Sequence, residues 1–171
     1  MITDFQTFIG YVDVKSAPVY FYVYRYWDWN QIHTPITFNA EILNIGRAMN
    51  SQTGRFVAPR SGKYFFSASG VVRFPASSDT SSFTLDLFWN NRQFATGVAD
   101  ERNSAGGQSE TFSMKTTLDL AAGDDIILMI LPQGMSPGVY IEGGTKFHFT
   151  GYMLEEEISQ SPNIKLLSAA I

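Results

Sequence analysis

Gly62-Lys63-Tyr64-Phe65-Phe66 closes the stretch that decides the fold. Ahead of it the chain reads Phe38, five residues, Asn44, four residues, Met49, six residues, Phe56, five residues, and then this pentapeptide. Gly62 follows Arg60-Ser61, where a tight turn favours a residue free to take positive φ. Tyr64 and Phe66 stand two apart, so on a strand they share one face and point into a core, while Phe65 faces the other way. Asn44, with Gly46 close behind it, suits a turn that ends the preceding strand.

Outward from this stretch, apolar residues keep recurring at every second position, and helical spacing is hard to find. Residues 19–24, Val-Tyr-Phe-Tyr-Val-Tyr, read as a strand of β-branched and aromatic side chains. Residues 36–43 read as another, opened by Pro35, and 55–57 as a short one closed by Ala58-Pro59. Residues 63–72 follow the Gly62 turn. Residues 83–87 alternate cleanly, Asn90-Asn91 supplies a turn, and 94–98 pairs back as the hairpin partner. Phe112, Met114, Thr116, Leu118 and Leu120 form one face of a longer strand. Gly123-Asp124 then turns the chain into 126–131, and 139–141 and 146–154 complete the set. The pattern predicts an all-β domain of about ten antiparallel strands, spaced as in a sandwich or jelly roll.

Three stretches read as loops. Residues 75–82 and 99–108 are rich in Ser, Asp, Asn and Gly, and 132–138 carries two Pro and two Gly. The segment Tyr26-Trp27-Asp28-Trp29-Asn30-Gln31 is aromatic but broken by polar residues. It is read first as a packed surface loop covering a core edge, and second as a contact site. Residues 1–17 and 156–171 carry weaker patterning and read as N-terminal and C-terminal extensions of a domain at 18–155.

The 171 residues suit one domain with a core large enough to need no disulfide or metal staple. Aromatic residues make up 15% and charged residues 16%, the latter against about 25% in an average soluble domain. Such a chain is not disordered. Its charge is low for a lone domain, which points to surface buried against a partner. The net charge is −4 and the Lys and Arg are scattered singly, so the basic stripe of a nucleic-acid binder is absent. There is no Cys, hence no disulfide framework and no thiolate site. No apolar run approaches the ~20 residues of a membrane-spanning helix. Met1-Ile2-Thr3-Asp4 lacks the basic start and apolar stretch of a signal peptide.

The spacing of Phe38, Asn44, Phe56, Gly62, Tyr64 and Phe66 resembles the signature of the globular-head domain of complement component 1q, in the tumour-necrosis-factor-like superfamily. Met49 and Ala68 depart from it, and both stay apolar. Leu118-Asp119-Leu120-Ala121-Ala122-Gly123-Asp124 resembles the family's Leu-x-Leu-x-x-Gly-Asp turn, and Phe149-Thr150-Gly151-Tyr152-Met153-Leu154 its final strand. The resemblance covers roughly residues 18–155. It implies a jelly-roll homotrimer in an extracellular setting, whose work is recognition rather than catalysis.

Parity then suggests where subunits would meet. Phe65 lies opposite Tyr64 and Phe66. Tyr20, Tyr22 and Tyr24 lie opposite Phe21 and Val23, and Phe147 and Phe149 lie opposite His148 and Thr150. Strands apolar on both faces belong to a sheet covered on both sides. The expectation is that Tyr20, Tyr22, Tyr24, Phe65 and Phe149 line a threefold interface; cover by the chain's own tails is the alternative.

Recognition in such a fold resides in loops held by the strands. Candidate ligand-binding residues are Trp27, Trp29, Asp79, Asp100 and Glu101, and the ligand expected is a protein or a carbohydrate, within an innate-defence type of recognition. The alternative function is a structural trimerising cap of a longer filament or matrix protein. Some relatives bind calcium, and Asp79 or the Asp100-Glu101 pair would be the oxygen donors here. No Asp-rich ligand loop occurs, and the expectation is no metal and no cofactor. An enzyme is not expected. Metal-dependent jelly-roll enzymes need clustered His and carboxylate, and only His33 and His148 are present. No Gly-x-Ser-x-Gly, His-Glu-x-x-His or phosphate-binding Gly-Lys-Ser/Thr motif occurs.

Overall fold

The computed structural model describes residues 17–102 and 105–157. They form the strands β1 (Tyr20–Arg25), β2 (Ala40–Ile45), β3 (Met49–Asn50), β4 (Arg55–Val57), β5 (Gly62–Phe74), β6 (Thr80–Trp89), β7 (Arg92–Arg102), β8 (Gln108–Leu120), β9 (Asp125–Met129), β10 (Tyr140–Ile141) and β11 (Phe147–Glu156). All strand pairs are antiparallel, and no helix occurs among the described residues. The extensions expected at 1–17 and 156–171 lie outside the described residues except for Ala17, Glu156 and Glu157.

Two sheets face each other. In the first, β8 pairs along the whole of β5, β11 and β10 share the other edge of β5, and β1 and β2 follow β11. The second runs β3-β4-β9-β6-β7. This is an antiparallel sandwich consistent with a jelly roll.

Alternate residues from both sheets meet in an aromatic core. Phe21, Phe38, Phe56, Tyr64, Phe66, Phe147 and Phe149 are at most 1% exposed. Phe56 bridges the sheets, its ring centroid 5.5 Å from Phe21, 5.6 Å from Tyr64 and 5.2 Å from Phe66. Tilted and edge-on pairs of this kind add about 0.5–1.5 kcal/mol each beyond the area they bury. The Tyr64 hydroxyl still finds a partner, donating to the Arg60 carbonyl at 2.7 Å. Gly151 is buried where a Cβ would lie 2.5 Å from Phe21 and 2.6 Å from Phe66, so the ring stack requires glycine there.

Three expectations need correction. The strand expected at 36–43 is β2 at Ala40–Ile45. Ile36 and Phe38 are buried, but as a crossing segment: the Ile36 N–H donates to Leu128 and the Phe38 N–H to Ser51. Period-two burial cannot distinguish such a crossing from a ladder strand. The hairpin around Asn90-Asn91 is also longer than 83–87 with 94–98, pairing from Thr80↔Arg102 to Trp89↔Arg92. The polar stretch after Val98 is therefore still strand as far as Arg102, because ladder bonds rather than burial hold it. Asn90 and Asn91 have φ of 47° and 63°, the left-handed pair that a two-residue hairpin turn uses. The third correction is Met49–Asn50, a short strand that the alternation does not mark.

Candidate functional site

The fold has two unlike ends. At the base, the Arg60 guanidinium donates to the Ala17 carbonyl, and Ser61 accepts from the Glu157 N–H at 2.9 Å and from the Ala122 N–H at 3.1 Å. At the apex the loops converge. Gly144 N–H donates to the Tyr26 carbonyl at 2.6 Å, Trp29 bridges Ile141, and Ser82 N–H donates to Ser136 Oγ at 2.9 Å. Asn30, Ile32 and the 135–140 segment line an apical cleft of about 300 Å³.

Within this apex the 26–31 loop is divided between core and solvent. Trp29 turns in and is 4% exposed, with Arg25 stacked 4.3 Å from its ring centroid and Nε1–H donating to the Gln31 carbonyl at 2.9 Å. Burial lowers the pKa of Arg25, since half-buried surroundings disfavour its charge. Tyr26 and Trp27 turn out, 52% and 65% exposed, their rings edge to face at 4.9 Å and 86°. Clamps hold the loop. Asn39 Oδ1 accepts from the Tyr26 N–H at 2.7 Å, Gly144 satisfies the Tyr26 carbonyl, and Asp28 Oδ1 accepts from the Gly143 N–H at 2.8 Å.

The outer face of the first sheet is a second candidate surface. Tyr20, Tyr22 and Tyr24 lie on it half-buried, as does Phe65. Phe65 stands 5.2 Å from Tyr152, and Tyr152 stands 6.1 Å from Tyr20. Tyr22 stacks on His148 at 5.5 Å, and its hydroxyl is hydrogen-bonded to Nδ1 at 2.7 Å. On β2, Leu43 and Ile45 pair with Tyr22 and Tyr20 and are 39% and 45% exposed.

Several expected site residues lie elsewhere. Phe149, expected on this outer face, is fully buried in the core. It pairs with Val23 and Ala68, both inward, and packs edge to face with Phe21 at 4.9 Å. Trp29, expected to face a ligand, is the buried anchor of its loop. Asp100 and Glu101, expected in a loop, are on β7 opposite Ser82 and Ser81. Asp79 is exposed in the apical connection before β6, its N–H donating to Ser77 Oγ at 3.0 Å. Among the described residues, no three His, Cys, Asp or Glu gather where they could hold a metal ion, and no helix is long and apolar enough to cross a membrane.

The family's sequence model for the C1q domain matches residues 20–154. The chain belongs to the C1q domain family. Among solved structures, it is similar to the globular domain of zebrafish complement 1qA protein, at 18% identity and a TM-score of 0.62. That match covers 81% of this chain and 99% of the other, and at such identity it shows a shared fold. No curated protein sequence matches the chain significantly.

The family-pattern residues in this C1q domain serve packing and turns. Phe38, Phe56, Tyr64 and Phe66 are in the core. Asn44 links β2 to β3: its amide donates to the Met49 carbonyl at 2.7 Å and its Oδ1 accepts from the Met49 N–H at 3.2 Å. Gly62 has φ +154° and lies where a Cβ would overlap the Glu155 carbonyl, and Gly123 has φ +93°. Asp124 collects the base turn, accepting from Trp89 Nε1–H, Asn90 Nδ2–H and the Ala121 N–H at 3.0, 2.8 and 2.9 Å. Partial burial works to raise its pKa, but these donors outweigh it and hold the carboxyl below the ordinary range. Sequence reasoning missed Tyr152, His148, Leu43 and Ile45 as outer-face residues. The signal for the first two lay in Gly151, a buried position, which sets Tyr152 beside it and His148 at the same parity outward.

Proposed function

We propose that this C1q domain is a homotrimeric, non-enzymatic recognition module of the extracellular space, binding a protein or glycan ligand at its apical loops. The outer face of β5, β11 and β1 carries this reading. It holds Phe65, Tyr152, Tyr20, Tyr22, Tyr24 and His148 in one half-exposed sheet surface, extended by Leu43 and Ile45. A monomer would leave this aromatic-rich face in water, and large exposed apolar patches mark association sites. Packing three copies about an axis removes it from water and leaves the apical loops of each free.

Size-exclusion chromatography with light scattering tests the reading. The expected mass is three times 19.1 kDa. Phe65→Glu places a charge in the apolar face and is expected to give a folded monomer. A wild-type monomer, or a Phe65→Glu trimer of unchanged stability, overturns the interface.

A further inference from the structure

We propose that Trp27 and Tyr26 form a stacking site for a neutral sugar ring, with Asp28 as the hydroxyl-binding group. The inference rests on the apical recognition proposed above and gives it a ligand class. Four observations converge on this loop.

Two large aromatic side chains are held in solvent, 52% and 65% exposed, although the same loop buries Trp29. Burying a large apolar side chain stabilises a fold, so folding alone gives no reason to present Trp27 outward. The presentation is rigid. Asn39, Gly143 and Gly144 bond to the Tyr26 backbone and to the Asp28 side chain, and Trp29 anchors the far side. Gly143 packs so closely that a Cβ there would overlap the Tyr26 carbonyl and lie 2.5 Å from the Trp27 carbonyl carbon. A loop ordered before binding loses little entropy when a ligand arrives.

The rings and their polar neighbours select the ligand. A pyranose offers a flat patch of C–H groups with hydroxyls around its rim. Trp27 offers an indole that is mostly in solvent, and Tyr26 packs edge to face with it at 86°. The polar side chains in 26–31 are Asp28, Asn30 and Gln31, all suited to hydroxyls, which both donate and accept. Asp28 gives one oxygen to Gly143, and its residue is exposed. Charge-assisted bonds from hydroxyls to a carboxylate are among the stronger ones. The loop between Tyr26 and Gln31 contains no Lys or Arg, which disfavours an acidic sugar or a phosphate. Arg25, next to the loop in the chain, is engaged with Trp29 and Thr37, and Lys146, on the adjoining 142–146 turn, is paired with Glu142. A protein partner would need a wider apolar patch with a buried centre. At the apex the large exposed apolar residues are Tyr26, Trp27 and Ile32, set among Ser, Asn, Asp and Gly.

The test is a glycan array probed with the full chain, followed by isothermal titration calorimetry with each neutral saccharide that binds. Wild type, Trp27→Ala, Trp27→Phe and Asp28→Ala are compared, with mass and thermal unfolding recorded for each. The expected result is binding of neutral glycans and weakening of about tenfold or more in Trp27→Ala, equivalent to about 1.4 kcal/mol. Trp27→Phe should retain most of the affinity, and the mass should be unchanged in both. Silence towards neutral glycans, binding of acidic glycans only, or equal binding by Trp27→Ala overturns the site. If the array is silent while the mass is trimeric, the sugar assignment fails and the trimer stands. If a monomer binds neutral glycans through Trp27, the trimer fails and the sugar site stands.

Discussion

The Tyr22 hydroxyl lies 2.7 Å from Nδ1 of His148, across the β1–β11 ladder on the outer face of the first sheet. The two rings also stack, at 5.5 Å and 20°, and Tyr24 approaches the same imidazole at 6.1 Å. Tyr22→Phe removes the hydrogen bond while keeping the ring. A part-buried bond of this kind contributes about 0.5–1.5 kcal/mol net, so the variant should unfold at slightly lower denaturant, with an unchanged slope. A midpoint identical to wild type would mean that water replaces the hydroxyl without loss.

Phe65 and Phe149 lie two strand faces apart in role, and substitutions should separate them. Phe149→Ala empties a fully buried ring site between Phe21, Phe38 and Phe66. Its expected cost is about 3–5 kcal/mol in denaturant unfolding. Phe65→Ser should cost much less per chain and act on assembly, lowering the mass at dilute concentration. Equal losses of stability with no change in mass would contradict the division.

The same pair shows what the sequence could and could not convey. Alternation marked both residues as strand residues, and the spacing of Phe38, Phe56, Gly62, Tyr64 and Phe66 was enough to reveal the fold. Parity separates the two faces of one strand but does not say which face is inward; that needs the cross-strand register. Val23↔Phe149↔Ala68 supplies it, and it is a property of three distant segments. Trp29 was illegible for a similar reason. Nothing in 26–31 reveals that Arg25 and Ile141 draw the second indole inward while Gly143 and Gly144 hold the first outside. The hairpin of β6 and β7 outran its apolar pattern, since backbone pairing continues where one edge is polar.

Adjacent glycines in the 142–146 turn should fail for different reasons. Gly143→Ala drives a Cβ into the Tyr26–Trp27 backbone, so the two loops must separate. Gly144 has φ +76° and open space around the missing Cβ, so Gly144→Ala meets only backbone strain, about 1 kcal/mol. Gly143→Ala is expected to lower the unfolding midpoint more and to change the tryptophan emission, as the clamp on the Trp27 loop opens. Gly144→Ala should leave the emission spectrum near wild type. Matching spectra for both variants would show that the clamp does not set the Trp27 environment.

Asp124 gives the base of the sandwich a dependence on acid. Its carboxylate accepts from Trp89, Asn90 and the Ala121 backbone, and these donors lower its pKa despite the opposing effect of burial. A carboxyl with a lowered folded pKa contributes its full stability above the unfolded value, about 4. That contribution is lost as pH falls through the folded value. Asp124→Asn removes the charge and also mismatches a donor. If the new carbonyl serves Trp89 and Ala121, the new amide faces the Asn90 amide. Asn90 cannot turn over freely, because its own Oδ1 accepts from the Asp125 N–H at 2.9 Å. The variant should lose about 1–3 kcal/mol at pH 7. In urea unfolding at stepped pH, the gap between wild type and variant should stay constant down to about pH 5 and narrow below about pH 4, as wild-type Asp124 takes up its proton. A gap that widens on acidification would reverse the sign assigned to this carboxylate.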